Sequence, residues 1–225
     1  MRIKRVVHLV GVGLSIGPAA LCAQDARFEG RLSPALRVEV ERLADSARAS
    51  GLPSEPLVTK ALEGAAKGAP DERILQAVRG LATRLGDARR SLGPTSSPGE
   101  LAVGAEALRS GVTGASLDQL RRARGKDELT VPLAVLTDLV ARGVPADTAA
   151  AVILQLAQRK ADDADFDGLR REIERDIGRG VPPGAAASFR GRGGPPANVP
   201  GRGGVPPGQA KKPPKEPPNP PRGRP

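Results

Sequence analysis

One histidine, one cysteine and one methionine, three phenylalanines and neither tryptophan nor tyrosine occur among the 225 residues. His8 and Cys22 both lie near the N-terminus, so the chain beyond residue 22 has no imidazole and no thiol. Ser-His-Asp and Cys-His nucleophilic catalysis lack their base there, and a zinc site built from His and Cys lacks its ligands. A single cysteine also excludes an internal disulfide framework. No glycine-rich loop ends in Gly-Lys-Ser or Gly-Lys-Thr, and no Ser-x-x-Lys occurs. What remains for acid/base chemistry is carboxylates spread over charge-balanced helices, where pairs arise by chance. The composition points to a protein that is not an enzyme.

Charge is unevenly placed. The net +10 and pI near 10.7 would ordinarily indicate a polyanionic partner. Yet residues 23–179 hold basic and acidic side chains in equal number, twenty-four of each. The excess sits at the ends. Arg2, Lys4 and Arg5 have no acid beside them, and from residue 180 on Arg190, Arg192, Arg202, Lys211, Lys212, Lys215, Arg222 and Arg224 face Glu216 alone. The eight C-terminal cations are the candidate contacts to an anionic surface.

The N-terminal order is a short cationic stretch, an apolar run from Val6 to Gly17, and then small residues up to Ala23. This is the pattern of a secretory signal peptide over 1–23, with cleavage after Ala23 or, as a second choice, after Cys22. The run is shorter than the about 20 residues needed to span a bilayer. Lipid attachment through Cys22 is the minor alternative, disfavoured by Leu21 where a small residue is usual. The chain is therefore expected to be exported, periplasmic or secreted.

Residues 24–179 show helical periodicity and almost no strand alternation. Ser33-Pro34 reads as an N-cap with proline at the first helical position, ahead of Leu36, Val40, Leu43 and Ala47 on one face. Further runs cover 55–67 and 70–92, the latter with Ile74, Val78, Leu81, Leu85, Ala88 and Leu92 at 3-4 spacing. Ser97 and Glu100 form a capping-box pattern, and Ser116 with Gln119 repeats it. Runs at 131–142, 146–160 and 164–179 follow. Gly51-Leu52-Pro53, Gly111-Val112-Thr113, Gly143-Val144-Pro145 and Gly180-Val181-Pro182 read as helix ends at which glycine turns left-handed and the next apolar residue packs back. A shift of 92 residues superposes the first of these junctions on the third and Ile74 on Phe166, which reads as a degenerate helix-turn-helix duplication of 48–92 in 140–179. The expected fold is all-α, a small bundle or array of about seven to eight short helices with a disordered C-terminal tail.

The tail, 180–225, is more than half glycine and proline and offers few large apolar side chains. Such a segment cannot bury enough surface to offset its ordering entropy. Arg192-Gly193-Gly194 and Arg202-Gly203-Gly204 resemble RGG segments of nucleic-acid binders, but Phe189 is the sole aromatic for base stacking. An exported chain also meets anionic envelope components before nucleic acid. An anionic envelope surface or a protein partner is the expected contact, and no small-molecule substrate or cofactor is called for.

One motif stands apart. Residues 163–174 place Asp163, Asp165 and Asp167 at loop positions 1, 3 and 5, Gly168 at 6 and Glu174 at 12. This resembles an EF-hand calcium loop, which implies side-chain ligation by those four acids and by the Leu169 carbonyl. Arg170 stands where such loops carry an apolar residue, and no second loop exists. The competing reading is a helix start with Asp163 as N-cap, since Phe166, Leu169, Ile173 and Ile177 run through the segment at helical spacing. The function expected from the sequence is an exported, non-enzymatic helical interaction module with a cationic tail. A structural calcium-binding protein using 163–174 is the alternative, and nucleic-acid binding through the RGG-containing tail is the second.

Overall fold

A computed structural model describes Phe28 and residues 30–193. The signal segment 1–23, Cys22, and the tail cations Arg202, Lys211, Lys212, Lys215, Arg222 and Arg224 lie outside the described residues. Within them the chain forms nine helices: α1 (Pro34–Ala49), α2 (Glu55–Ala66), α3 (Asp71–Leu92), α4 (Pro98–Arg109), α5 (Gly114–Arg124), α6 (Thr130–Ala141), α7 (Ala146–Gln158), α8 (Asp163–Gly178) and α9 (Pro183–Gly191). Among the described residues no helix is long and apolar enough to cross a membrane.

The starts follow local chemistry. Ser33 accepts from the Leu36 N–H at 3.2 Å, and Ser97 and Glu100 make the reciprocal capping box. Two starts differ from expectation. The cap of α5 is Thr113, whose hydroxyl accepts from Ser116 N–H at 3.2 Å, so Ser116 lies one turn inside the helix. That of α8 is Asp162, in a capping box with Asp165, so Asp163 is the first helical residue. In both cases the true cap lies upstream of the residue read as the cap.

The ends share one device. Leu52, Val112, Val144 and Val181 each donate their N–H to the carbonyl five residues back, at 2.8–3.1 Å, just after a glycine of positive φ. The same bond recurs at Ala69 after Gly68 and at Ala161 after Lys160, which adopts φ +60° without being glycine. Most of these turns bring consecutive helices together, but α4 and α5, joined at Gly111, make no extensive contact, and α7 and α8, joined at Lys160, make little.

Repeated tight turns produce two rows. In one, α1 lies against α3, α3 against α5, α5 against α7 and α7 against α9; in the other, α4 lies against α6 and α6 against α8. The extensive contacts of each helix are with helices one or two places away in the chain. This is the quasi-one-dimensional arrangement of repeat arrays, in which stability is a sum of nearest-neighbour interfaces. The two stretches related by 92 residues both run turn, helix, turn, helix, and Leu57 and Ala61 are buried as Ala149 and Ile153 are. Their packing differs, because α2 lies along α3 whereas α7 barely meets α8.

The core is Leu, Val, Ile and Ala, with Phe28 and Phe166 its buried aromatics. Small side chains let helices close in. A methyl group at Gly104 of α4 would fall 2.9 Å from Leu92 Cδ1 and 3.3 Å from Ala88 Cβ of α3. The Gly93–Gly99 connection therefore joins two closely packed helices. Ser96 within it is buried, its hydroxyl donating to the Gly93 carbonyl at 3.0 Å.

The helical body also extends further than the composition of 180–225 implied. Residues 183–191 form α9, which packs on α7 and α8. Ala186 and Ala187 are fully buried, and a methyl group at Gly191 would collide with Val152 Cγ2 at 2.8 Å. Proline at the start of α9 is compatible with a first helical turn, and its alanines and glycines allow close approach. Segment-wide Gly and Pro content hid this short stretch, Gly184 to Phe189, which holds no proline.

Candidate functional site

The charged residues singled out in the sequence occupy three places. The first is 163–174, which is continuous helix in α8. At about 1.5 Å per residue, Asp163 and Glu174 are about 16 Å apart along the axis, whereas calcium ligands converge within 2.3–2.6 Å of one ion. The EF-hand geometry is not formed. Asp163 instead faces Arg124 at 3.5 Å, and Asp165 accepts the Asp162 N–H at 3.0 Å. Asp167 lies 3.5 Å from Arg170, and Glu174 is paired at 2.8 Å with both Arg170 and Arg142. Leu169 is a core residue. The apolar stripe won because burying Phe166, Leu169 and Ile173 requires helical phase throughout the segment.

This correction yields a test. Gly168, the required turn glycine of an EF-hand, sits in a helix interior with nothing within 4 Å of where a Cβ would be. Gly168→Ala is expected to stabilise the protein by about 0.5–1 kcal/mol, from helix propensity alone. Thermal unfolding followed by circular dichroism would read it. A lowered midpoint, or one that rises on adding millimolar calcium to the parent chain, would contradict the helical reading.

The second place is the end of the array. Arg190, read as a free tail cation, is 8% exposed and grips Asp176 with two bonds, Nε to Oδ2 at 2.6 Å and Nη2 to Oδ1 at 3.0 Å. Its Nη1 also reaches Glu172 at 3.3 Å. Asp176 is fully buried, and the Arg190 hydrogen bonds, outweighing burial, hold its carboxyl below the usual range. Arg190 is thus a latch for α9 rather than a tail contact. Arg192, the capping residue directly after the helix, is exposed. The partner acid was not singled out beforehand, since nothing local marks Asp176 as buried.

The third place was read only as a cap. Glu100 takes the Ser97 N–H on one oxygen at 2.9 Å, while the other accepts from Leu129 N–H at 2.8 Å and from the Arg121 guanidinium. Burial pushes its carboxyl up, but those three donors outweigh it and leave it below the ordinary value. Arg121 further donates to the Gly125 and Asp127 carbonyls, and Arg124 to those of Ala161 and Glu128 while stacking over Phe166 at 5.5 Å. Two arginines of the last turn of α5 thereby hold the 125–129 loop and the start of α8. These groups are committed to backbone and to each other, which makes them architectural.

The geometry thus gives a body in which many carboxylates and arginines pair with one another, with Arg192 directly after its last described helix. Comparison with known protein families, curated proteins and solved structures finds no match for this chain.

Proposed function

We propose that this protein is an exported, non-enzymatic helical interaction module whose cationic C-terminal segment contacts an anionic envelope component or a protein partner. The observation that carries the reading is the charge split. Arg192, Arg202, Lys211, Lys212, Lys215, Arg222 and Arg224 follow the last described helix in sequence, with Glu216 as the only acid among them. The helical body shows many carboxylate–arginine pairs, several of them joining different helices, such as Arg142–Glu174 and Arg190–Asp176. The signal-like N-terminus supports export, and the lack of His and Cys beyond residue 22 supports a role without catalysis.

The test is co-sedimentation with cell envelopes at low and high salt, comparing the chain from Gln24 to Pro225 with one ending at Gly193. The cut must follow α9, because ending at Gly180 would uncover the α7 and α8 surfaces and confound the result. Salt-sensitive retention of the longer chain alone is expected, since exposed charge pairing is screened. Equal retention of both would refute a tail-mediated contact.

A further inference from the structure

We propose that the groove between α2, α3 and α4 is a binding site for a small amphiphilic monocarboxylate, with Arg84 as its anion-recognising group. The groove arises from the topology. Both α2 and α4 pack on α3 but make no extensive contact with each other, and the gap between them has α3 as its floor. Its volume is about 490 Å³, within the roughly 300–1,000 Å³ of small-molecule sites. Pro53, Pro56, Leu81 and Pro98 give it apolar walls.

The charged lining holds three bases, Lys60, Arg84 and Arg109, and three acids, Glu55, Glu63 and Glu106. Lys60 pairs with Glu63 at 3.2 Å, and Arg109 grips Glu106 through Nε at 2.8 and 2.9 Å. Among the described residues Arg84 has no ion pair with a carboxylate, and its Nε–H is buried without an acceptor. Arg121 and Arg124 share an unpaired Nε, but their terminal nitrogens are bound to carbonyls of the 125–129 loop. A buried donor without an acceptor is unfavourable until something supplies one.

An independent feature places Arg84 there. Gly80, one turn earlier in the middle of α3, is helix-destabilising, and a methyl group on it would lie 3.2 Å from Arg84 Nη1. The glycine gives the guanidinium room to lie back along the helix. The ligand chemistry follows from the surroundings. Arg84 feels Glu106 only at a distance, which leaves its guanidinium open to an anion, and Glu55, Glu63 and Glu106 in the lining disfavour a dianion such as phosphate. A carboxylate with an apolar body matches both the planar guanidinium and the walls. The proposal is independent of the tail.

Hexanoate is a suitable probe, with hexanamide as the uncharged control, read by amide chemical shifts of the isotopically labelled chain from Gln24. Saturable shifts are expected in residues 53–60, 80–85 and 98–101, with hexanamide binding at least about tenfold more weakly. Arg84→Met, which keeps the apolar stem, is expected to weaken hexanoate by about tenfold or more. Gly80→Ala, which crowds the guanidinium and keeps its charge, is expected to weaken it less. Unsaturable shifts, shifts elsewhere, or equal affinity of the Arg84→Met chain and the parent would overturn the assignment.

Discussion

Glu100→Ala is expected to lower the unfolding free energy by about 3–5 kcal/mol, the range for removing one partner of a buried ion pair. The Glu100 side chain is 5% exposed and that of Arg121 18% exposed, so the guanidinium would lose its acid in a poorly hydrated place. Leu129, fully buried, would lose the acceptor of its N–H, and the capping box of α4 would be halved. Glu100→Gln is expected to cost roughly half as much, because the amide oxygen still accepts one or two of the three bonds. The position aggravates the loss. Glu100 opens α4, while its partners sit at the end of α5 and just before α6, so one carboxylate ties three consecutive helices. In an array built from neighbour interfaces, a weakened centre lets one side open before the other. Urea unfolding followed by circular dichroism, the practical probe for a chain without tryptophan, is therefore expected to show a lower midpoint and a shallower transition. An unchanged curve would mean that Arg121 and Leu129 find other partners.

The differences between sequence and structure have separable causes. Helix content was visible because burying a Leu/Val/Ile/Ala core needs long runs in phase: Ile74, Val78, Leu85, Ala88 and Leu92 mark α3 without reference to any other helix. Glycine junctions were visible for the same reason, since the turn is made within six residues; Gly68-Ala69-Pro70 carries the same signature, whereas Lys160 does not. What the sequence could not show was which charges are long-range partners. Asp176 and Arg190 are fourteen residues apart and Glu100 and Leu129 twenty-nine apart, and nothing in local composition distinguishes Arg190 from Arg192. The calcium pattern erred in the opposite direction, a local match in a segment whose phase was fixed by burial against α6 and α9. The α2–α3–α4 groove was also invisible, because it depends on two helices that both contact a third without meeting.

Asp176→Ala is expected to release α9 while leaving α1 to α8 folded. Removal of a buried partner again carries an intrinsic cost of about 3–5 kcal/mol, but here the orphaned arginine has an escape, because α9 is the last described helix and can detach and hydrate Arg190. The observed loss is capped by the docking free energy of α9, so global stability falls less than for Glu100→Ala. Hydrogen exchange is the informative measurement: amides of residues 186–191 should lose protection, and those around Val152 and Ile153 should lose part of theirs. Retained protection in 186–191 would show that burial of Ala186 and Ala187 suffices without the latch. Acid should act like the mutation. Asp176 has a folded-state pKa below its ordinary value, so its contribution is full above the unfolded carboxylate range and is lost as pH falls through the lower folded value. No side chain in the described body has an ordinary pKa between those of Glu and Lys, about 4.3 and 10.4, since His8 and Cys22 lie outside it and tyrosine is absent. Docking should therefore be flat across neutral pH and weaken only in acid. Release would also hand Arg190 to solvent beside the cations that follow it. If those cations carry envelope retention, Asp176→Ala should retain at least as well as the parent chain, whereas a contact made by the docked face of α9 predicts a loss.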